Sequence, residues 1–248
     1  MYLPEGSQAS HLHIMEGVSK DTLRLATWNI RAGLGTDLRR DALRVIDGIA
    51  ALEVDVMVLQ EADFRLGARP SALPRDLLTL HAGLVPLPVG KNAASIGWHG
   101  NAVLVKPGIR LAGLELLNLP GLEPRGAIIA DLNGPKPLRL VAVHLGLLRS
   151  SRRRQLDAIG AAIARRPPRG TVILGDFNEP SRSVGLGRLV KSFRLRKPEA
   201  TYPSRVPLLA LDRMAHSFDL ALRPMPIPRK RGVQASDHLP LLAELHWT

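Results

Sequence analysis

Short runs of β-branched and leucine residues alternate along this chain with segments whose apolar positions recur at helical spacing, the pattern of an α/β or layered α+β domain. Strand-type runs are Leu23 to Ile30, Val54 to Leu59, Asn101 to Val105, Ala127 to Leu132, Leu138 to His144, Val172 to Leu174 and Leu239 to His246. Two helices stand out. In Arg39 to Leu52 the residues Ala42, Val45, Ile46 and Ile49 fall on one stripe, and in Arg152 to Arg165 Leu156, Ile159 and Ile163 do the same, with Ser150 or Ser151 placed to cap it. Gly67 to Pro137 and Pro198 to Pro228 are rich in Gly and Pro, which predicts long surface loops around shorter elements. Without an internal repeat or a low-complexity linker, residues 22–248 are expected to form a single domain. Residues 1–21, with little periodicity, are expected to be a flexible extension in which His11 and His13 are simply exposed.

Polar residues gather where the strands stop. Leu23 to Thr27 runs into Trp28-Asn29, Val54 to Leu59 into Gln60-Glu61, Leu138 to Val143 into His144, and Thr171 to Leu174 into Gly175-Asp176-Phe177-Asn178. A fifth group, Ser236-Asp237-His238, precedes the last strand. Singly, each has an ordinary explanation: Asp176 a turn or cap, Glu61 a solvated carboxylate, Asn29 an Asx turn, His144 or His246 a hydrogen-bonded histidine. Five boundaries with the same bias point instead to one cluster of acid, amide and imidazole groups at a sheet rim. Asp55 opens its strand instead of closing it and reads as structural.

Composition narrows the chemistry. The chain has no cysteine, which removes disulfides, thiolate metal sites and a cysteine nucleophile, and leaves oxygen and imidazole ligands suited to Mg²⁺ or Mn²⁺. No signal-peptide pattern opens the chain and no run approaches the roughly 18 apolar residues of a membrane helix, so a cytoplasmic protein is expected. Net charge is +12 and uneven: residues 1–144 carry 15 basic against 14 acidic side chains, residues 145–248 carry 19 against 8. Arg152 to Arg154, Arg165-Arg166 and Arg229 to Arg231 concentrate the excess, which fits a polyanion such as DNA or RNA, an anionic membrane surface, or an ordinary solvated face.

The ordered series Thr27-Trp28-Asn29-Ile30, Val58-Leu59-Gln60-Glu61, Gly100-Asn101-Ala102-Val103-Leu104, Val143-His144, Gly175-Asp176-Phe177-Asn178 and Ser236-Asp237-His238 resembles the endonuclease/exonuclease/phosphatase (DNase I-like) superfamily. The resemblance spans Leu23 to Trp247. It implies a four-layer sandwich, two mixed β-sheets packed face to face with helices outside, and a site at one end between the sheets. By the same resemblance Glu61 is the principal metal ligand, with Asn29 and Asp237 near the metal. Asp176 and Asn178 orient water and phosphate, and His144 meets a phosphate oxygen or the leaving group. His238, held by Asp212, is a general base or a phosphate-stabilising imidazole. Asn29, Arg31, Asn101 and Arg125 are the implied substrate or phosphate contacts. Arg31 stands where some DNA-repair relatives carry an acid, which points to one metal. His144 stands where abasic-site endonucleases carry Tyr.

The segments Gly35-Thr36-Asp37, Glu123-Pro124-Arg125-Gly126-Ala127, Thr201-Tyr202-Pro203-Ser204 and Leu208 to Arg213 further resemble a bacterial branch of the family, which leaves the substrate open. A divalent-metal-dependent hydrolase of phosphate esters is expected. A nuclease or nucleic-acid phosphodiesterase is the first reading. A phosphatase or phosphodiesterase of a lipid headgroup or small ester is the second, with Leu84 to Val89 and Leu114 to Leu122 as apolar stretches that could meet a membrane. A catalytically silent binder of nucleic acid or protein is disfavoured by the complete acid, amide and imidazole set.

Overall fold

Strand β1 (Thr22–Asn29) starts with alternating burial and ends in a fully buried stretch, as a central strand covered on both faces must. It pairs in parallel with β2 (Val56–Gln60) and antiparallel with β12 (Leu241–Trp247). With β3 (Val85–Pro86), β4 (Ala102–Val105) and β11 (Leu220–Pro224) they form a six-stranded mixed sheet of order β11-β12-β1-β2-β4-β3. The second sheet, β5-β6-β7-β8-β10-β9, repeats the plan. It comprises β5 (Arg110–Leu119), β6 (Arg125–Asn133), β7 (Pro137–His144), β8 (Thr171–Asp176), β9 (Arg194–Leu195) and β10 (Asp212–His216). Its central pair, β7 and β8, is again parallel. The structure is a computed structural model that describes residues 22–181, 185–189, 191–228 and 235–248; the expected N-terminal extension and the Arg229 to Arg231 cluster lie outside these.

The sheets face each other across a dry layer that includes Leu25, Val58, Val103, Ile128, Leu140, Val172 and Leu174. Each such buried side chain contributes roughly 1.5–3 kcal/mol. Helix α1 (Ala42–Leu52) covers the outer face of the first sheet with Val45, Ile46 and Ile49 against Trp28 and Met57. Helix α2 (Arg75–Ala82) adds Leu78 to the same layer. Helix α3 (Arg149–Ala164) covers the second sheet with Leu156 and Ile159 against Val141 and Phe177. The result is the four-layer sandwich, and no helix among the described residues is long and apolar enough to cross a membrane.

Several boundaries differ from expectation. Asp41 caps α1, its carboxylate accepting from Arg44 N at 2.9 Å, so the helix begins after Arg39 and Arg40. Neither Ser150 nor Ser151 caps α3, because the helix starts at Arg149 behind Leu148. Arg152 and Gln155 reach back from its first turns to the Leu147 carbonyl at 2.5 Å and the Gly146 amide at 2.8 Å, fixing the loop after β7. Among the shorter elements expected within the two Gly/Pro-rich regions are β3, β5 and α2, and β10 and β11, whose positions the sequence pattern does not give. Leu84, Leu87 and Val89 are core residues and Leu114 to Leu119 lie within β5, while Leu122, at the end of the second stretch, is exposed in the turn that follows. Asp55 is structural, its carboxylate accepting from Arg24 N at 2.7 Å and pairing with Lys106 at 2.8 Å.

Charge in the last part of the chain is also partly structural. Arg152 is buried against Glu179 at 2.9 Å, and Arg166 bonds Glu115 at 2.9 Å and Asp131 at 3.3 Å. Arg139, 2% exposed, holds Asp131 at 2.7 Å, and despite partial burial these partners keep the Asp131 carboxyl below its ordinary range.

Candidate active site

The two central parallel pairs end at the same rim. Asn29 and Gln60 are register partners in one sheet, and His144 and Asp176 are partners in the other. The antiparallel strand β10 runs back from that rim and sets Asp212 opposite Asp176. Strands β6 and β12 begin there as well, which brings Arg125 and the Ser236-Asp237-His238 loop to the same end.

Gly175 makes the β7–β8 register possible. Its φ is +148°, and a Cβ there would lie 1.9 Å from the Val143 carbonyl oxygen. Only glycine lets β7 approach closely enough to place His144 beside Asp176. The turn after β2 carries Glu61 at φ +53°, with its carbonyl accepting from Ala32 N at 3.0 Å. Asn178 has φ +50° and donates its amide N–H to Asp176 Oδ1 at 2.9 Å. Non-glycine residues in this region are uncommon, and they cluster at sites held by their surroundings.

Asn29 joins the sheets. Its Nδ2 donates to Asp176 Oδ2 at 3.1 Å and reaches Glu61 Oε1 at 3.4 Å, while Oδ1 accepts from Arg31 N at 3.0 Å. The amide thus presents its nitrogen to the two carboxylates. His144 Nε2 stands 3.5 Å from Asp176 Oδ2. His238 Nδ1 lies 2.9 Å from Asp212 Oδ2, which also accepts from Thr201 Oγ1 at 2.5 Å. The His238 loop is pinned to β1 by Trp28 Nε1 donating to the His238 carbonyl at 2.9 Å and by Ser236 Oγ donating to the Asn29 carbonyl at 2.7 Å. The Tyr202 ring packs on His238 with centroids 4.9 Å apart.

These contacts set the protonation states. Burial, and then the Asp212 carboxylate, push Asp176 up to about 6. Burial pulls His238 down, but the charge and hydrogen bond of Asp212, with Asp176 and Asp237, outweigh it and hold the imidazole at about 9. His144 moves the other way: burial, helped by Arg125 and His238, lowers it well below the ordinary 6.5, so it is a neutral ring.

The sequence-derived residues are largely brought together. Asn29, Glu61, His144, Asp176, Asn178, Asp212 and His238 form one cluster, and Arg125 shares a groove with Glu61 and His144 while pairing with Glu123 at 2.7 Å. Arg31 lines a second groove beside Glu61, its Nε 3.4 Å from Asp237 Oδ2. Asn178 Nδ2 is committed to the Leu145 carbonyl at 2.9 Å. Asn101 stands apart: it is fully buried and donates to the Gly126 and Trp98 carbonyls at 2.9 and 3.4 Å, tying the sheets together. Thr201 and Tyr202, which hold Asp212 and His238, and His99, Arg65 and Glu123, which line the first groove, also belong to the site. Nothing local marks Thr201, because its partner Asp212 is reached only through the fold.

A hard divalent cation fits this set. Glu61 makes only loose contacts, 3.4 Å to Asn29 Nδ2 and 3.4 Å to Arg65, and leaves its carboxylate open to the grooves. Asp212 Oδ1 is buried without a hydrogen-bond partner, and Asp176, Asp212 and His238 carry ligand atoms within 4.8 Å of one another. Nδ1 of His238 and Oδ2 of Asp212 already satisfy each other, whereas the Glu61 carboxylate stays open.

The family model for the endonuclease/exonuclease/phosphatase family matches residues 26–238, and the chain belongs to that family. Over 245 aligned residues it is 28% identical to the uncharacterized protein YbhP of Escherichia coli strain K12, covering 91% of this chain and 96% of the relative. An endonuclease/exonuclease/phosphatase structure from Bacteroides vulgatus superposes with a TM-score of 0.71 at 17% identity, over 92% of this chain and 99% of that one. A mannosyl-6-phosphatase of Bacteroides thetaiotaomicron gives a TM-score of 0.67 at 14% identity, over 91% and 100%. At these identities the two structures share the fold.

Proposed function

We propose that this protein hydrolyses phosphate esters by in-line attack of water, using Mg²⁺ or Mn²⁺ held by Glu61; Asn29, with Nδ2 turned to the carboxylates and Oδ1 taken by Arg31 N, and Asp237, paired with Arg31, position the groups around it instead of ligating. The observation that carries the reading is the Asn29 bridge, 3.1 Å to Asp176, which sets the open Glu61 carboxylate of one sheet against Asp176 and Asp212 of the other, with His238 from the loop before β12 beside them. Such a bound cation supplies neutralising charge to the phosphate oxygens.

The chain's own residues divide the remaining work. Asp176, raised to about 6, is matched to accept the proton of the attacking water, and Asn178 fixes its carboxylate. His238, kept as an imidazolium by Asp212, stabilises charge on the equatorial phosphoryl oxygens. The new P–O bond forms from water as the ester P–O bond breaks. Neutral His144 hydrogen-bonds the phosphate beside it, and Arg125 and Arg31 receive anionic parts of the substrate from the two grooves.

The test is turnover of bis-p-nitrophenyl phosphate with Mg²⁺, with Mn²⁺ and with EDTA. Hydrolysis that EDTA abolishes and that Glu61→Ala or His238→Ala lowers by about 10²-fold or more supports the reading. Full activity in either variant overturns it.

A further inference from the structure

Among the described residues, most exposed large apolar side chains sit at one end of the molecule. Leu66, Leu122 and Leu38 are 85%, 84% and 73% exposed, and Leu147, Leu148 and Leu208 are exposed as well. Leu38 follows β1, Leu66 follows β2, Leu122 joins β5 to β6, Leu147 and Leu148 follow β7, and Leu208 precedes β10. Those are the strand ends that deliver Asn29, Glu61, Arg125, His144 and Asp212. The apolar residues therefore crown the catalytic rim.

The crown is continuous. Arg205 Nη2 donates to the Thr36 carbonyl at 3.2 Å, joining the Leu208 loop to the Leu38 loop. The Arg40 guanidinium lies 5.2 Å above the Phe64 ring, joining the Leu38 loop to the Leu66 loop. Phe64 and Arg65 share a groove with Glu123, whose carboxylate accepts from Leu147 N at 3.3 Å. Between the leucines stand exposed Arg39, Arg65, Arg149, Arg153 and Arg205. The acids among them are already engaged: Asp37 with Arg44 at 2.7 Å, Asp41 as a helix cap, Glu123 with Arg125 at 2.7 Å.

Exposed leucines interleaved with arginines match one surface well. The hydrocarbon edge of a bilayer takes the leucines, and anionic headgroups take the guanidinium groups. Duplex nucleic acid would use the arginines but takes a leucine only as a single wedge between base steps, not as a ring of six, and single strands need rows of aromatic stacking platforms, where Phe64 and His99 are the rings that line the grooves.

We propose that the rim loops form a docking surface for an anionic phospholipid bilayer, and that the ester hydrolysed is presented at headgroup depth to the Glu61 cleft. The substrate half rests on the hydrolase reading above; the docking half does not.

Sedimentation with vesicles separates the two. The full chain is spun with phosphatidylcholine vesicles and with phosphatidylcholine–phosphatidylglycerol vesicles, and bis-p-nitrophenyl phosphate turnover is followed in parallel. Two independent variants are used, Leu122→Asp with Leu147→Asp and Leu38→Asp with Leu208→Asp, with Leu80→Asp on α2 as a control away from the rim. Pelleting of wild type with the anionic vesicles, reduced about tenfold or more in both double variants and unchanged in Leu80→Asp, supports docking, with turnover of the soluble ester intact throughout. No pelleting of wild type, equal pelleting of the double variants, or binding of duplex DNA that shows the same leucine dependence overturns it. Loss of soluble-ester turnover in wild type removes the hydrolase reading and the substrate assignment together, while the sedimentation result still decides docking.

Discussion

Asp212 and His238, 26 positions apart in sequence, meet through a 2.9 Å contact between Oδ2 and Nδ1 in a setting where the carboxylate is fully buried. The acid fixes which ring nitrogen is engaged and turns the other toward the cleft. It also holds the imidazole at about 9. Asp212→Asn should therefore keep the fold and lower kcat by about 10²–10⁴-fold. A purely structural role would leave the pH profile in place. The expected result is instead that the alkaline limb, where the imidazolium loses its proton, moves to lower pH in the variant.

Glu61 is the open carboxylate of the site, and Glu61→Gln removes its charge while keeping its shape. Because its contacts are loose, metal-free thermal stability should change little. Mn²⁺ affinity, measured by calorimetry, should fall by more than the roughly 10–100-fold that follows loss of a ligand's outer partner. Unchanged affinity would move the cation to the Asp176, Asp212 and His238 group.

The metal-free fold should weaken with rising pH. His238 stands at about 9 against an ordinary 6.5, so its stabilising contribution is complete below about 6.5 and is lost as pH rises through about 9. Asp176, at about 6 against 3.8, also holds its proton more tightly in the folded state, and this contribution disappears as pH passes through about 6. Below about pH 6.5 His144, lowered well below its ordinary value, opposes Asp176, because its neutral folded form gains stability as pH rises. Between pH 7 and 9.5 the His238 change stands alone and amounts to a few kcal/mol at most, on the order expected for a shift of this size. Urea midpoints in EDTA from pH 7 to 9.5 should fall steadily; a flat or rising series would contradict the assignment.

How much was legible in the sequence follows from what each residue leans on. The strands ending in Asn29, Gln60, His144 and Asp176 are apolar runs cut off by a polar group, and covering both faces of a central strand demands that pattern. β5 was hidden because it is half-exposed and bulged between Leu111 and Gly113, so its alternation is blurred. β10 opens with Asp212-Arg213, charged residues that read as loop. They are buried only because His238 takes the acid and the Glu179 and Ser181 carbonyls accept from the arginine at 3.0 and 2.8 Å. α2 is short and follows Pro74, with Leu78 its one buried residue. Tertiary partners, not local preference, decide such segments.

Gly175 offers the sharpest test of the fold's part in building the site. Gly175→Ala adds one methyl group where the Val143 carbonyl lies 1.9 Å from the new carbon, at a φ of +148° that L-residues rarely adopt. Neither neighbour is a flexible side-chain end, since the obstacle is the backbone of the adjacent parallel strand. Relief requires β7 and β8 to separate, which breaks the His144–Asp176 register and opens the inter-sheet layer around Leu140 and Val172. A loss of about 3 kcal/mol or more is expected by chemical denaturation. Under conditions where the variant remains folded, kcat should drop because Asp176 no longer faces His144 and Asn29. Retention of wild-type stability would show that the two strands are not held at this spacing.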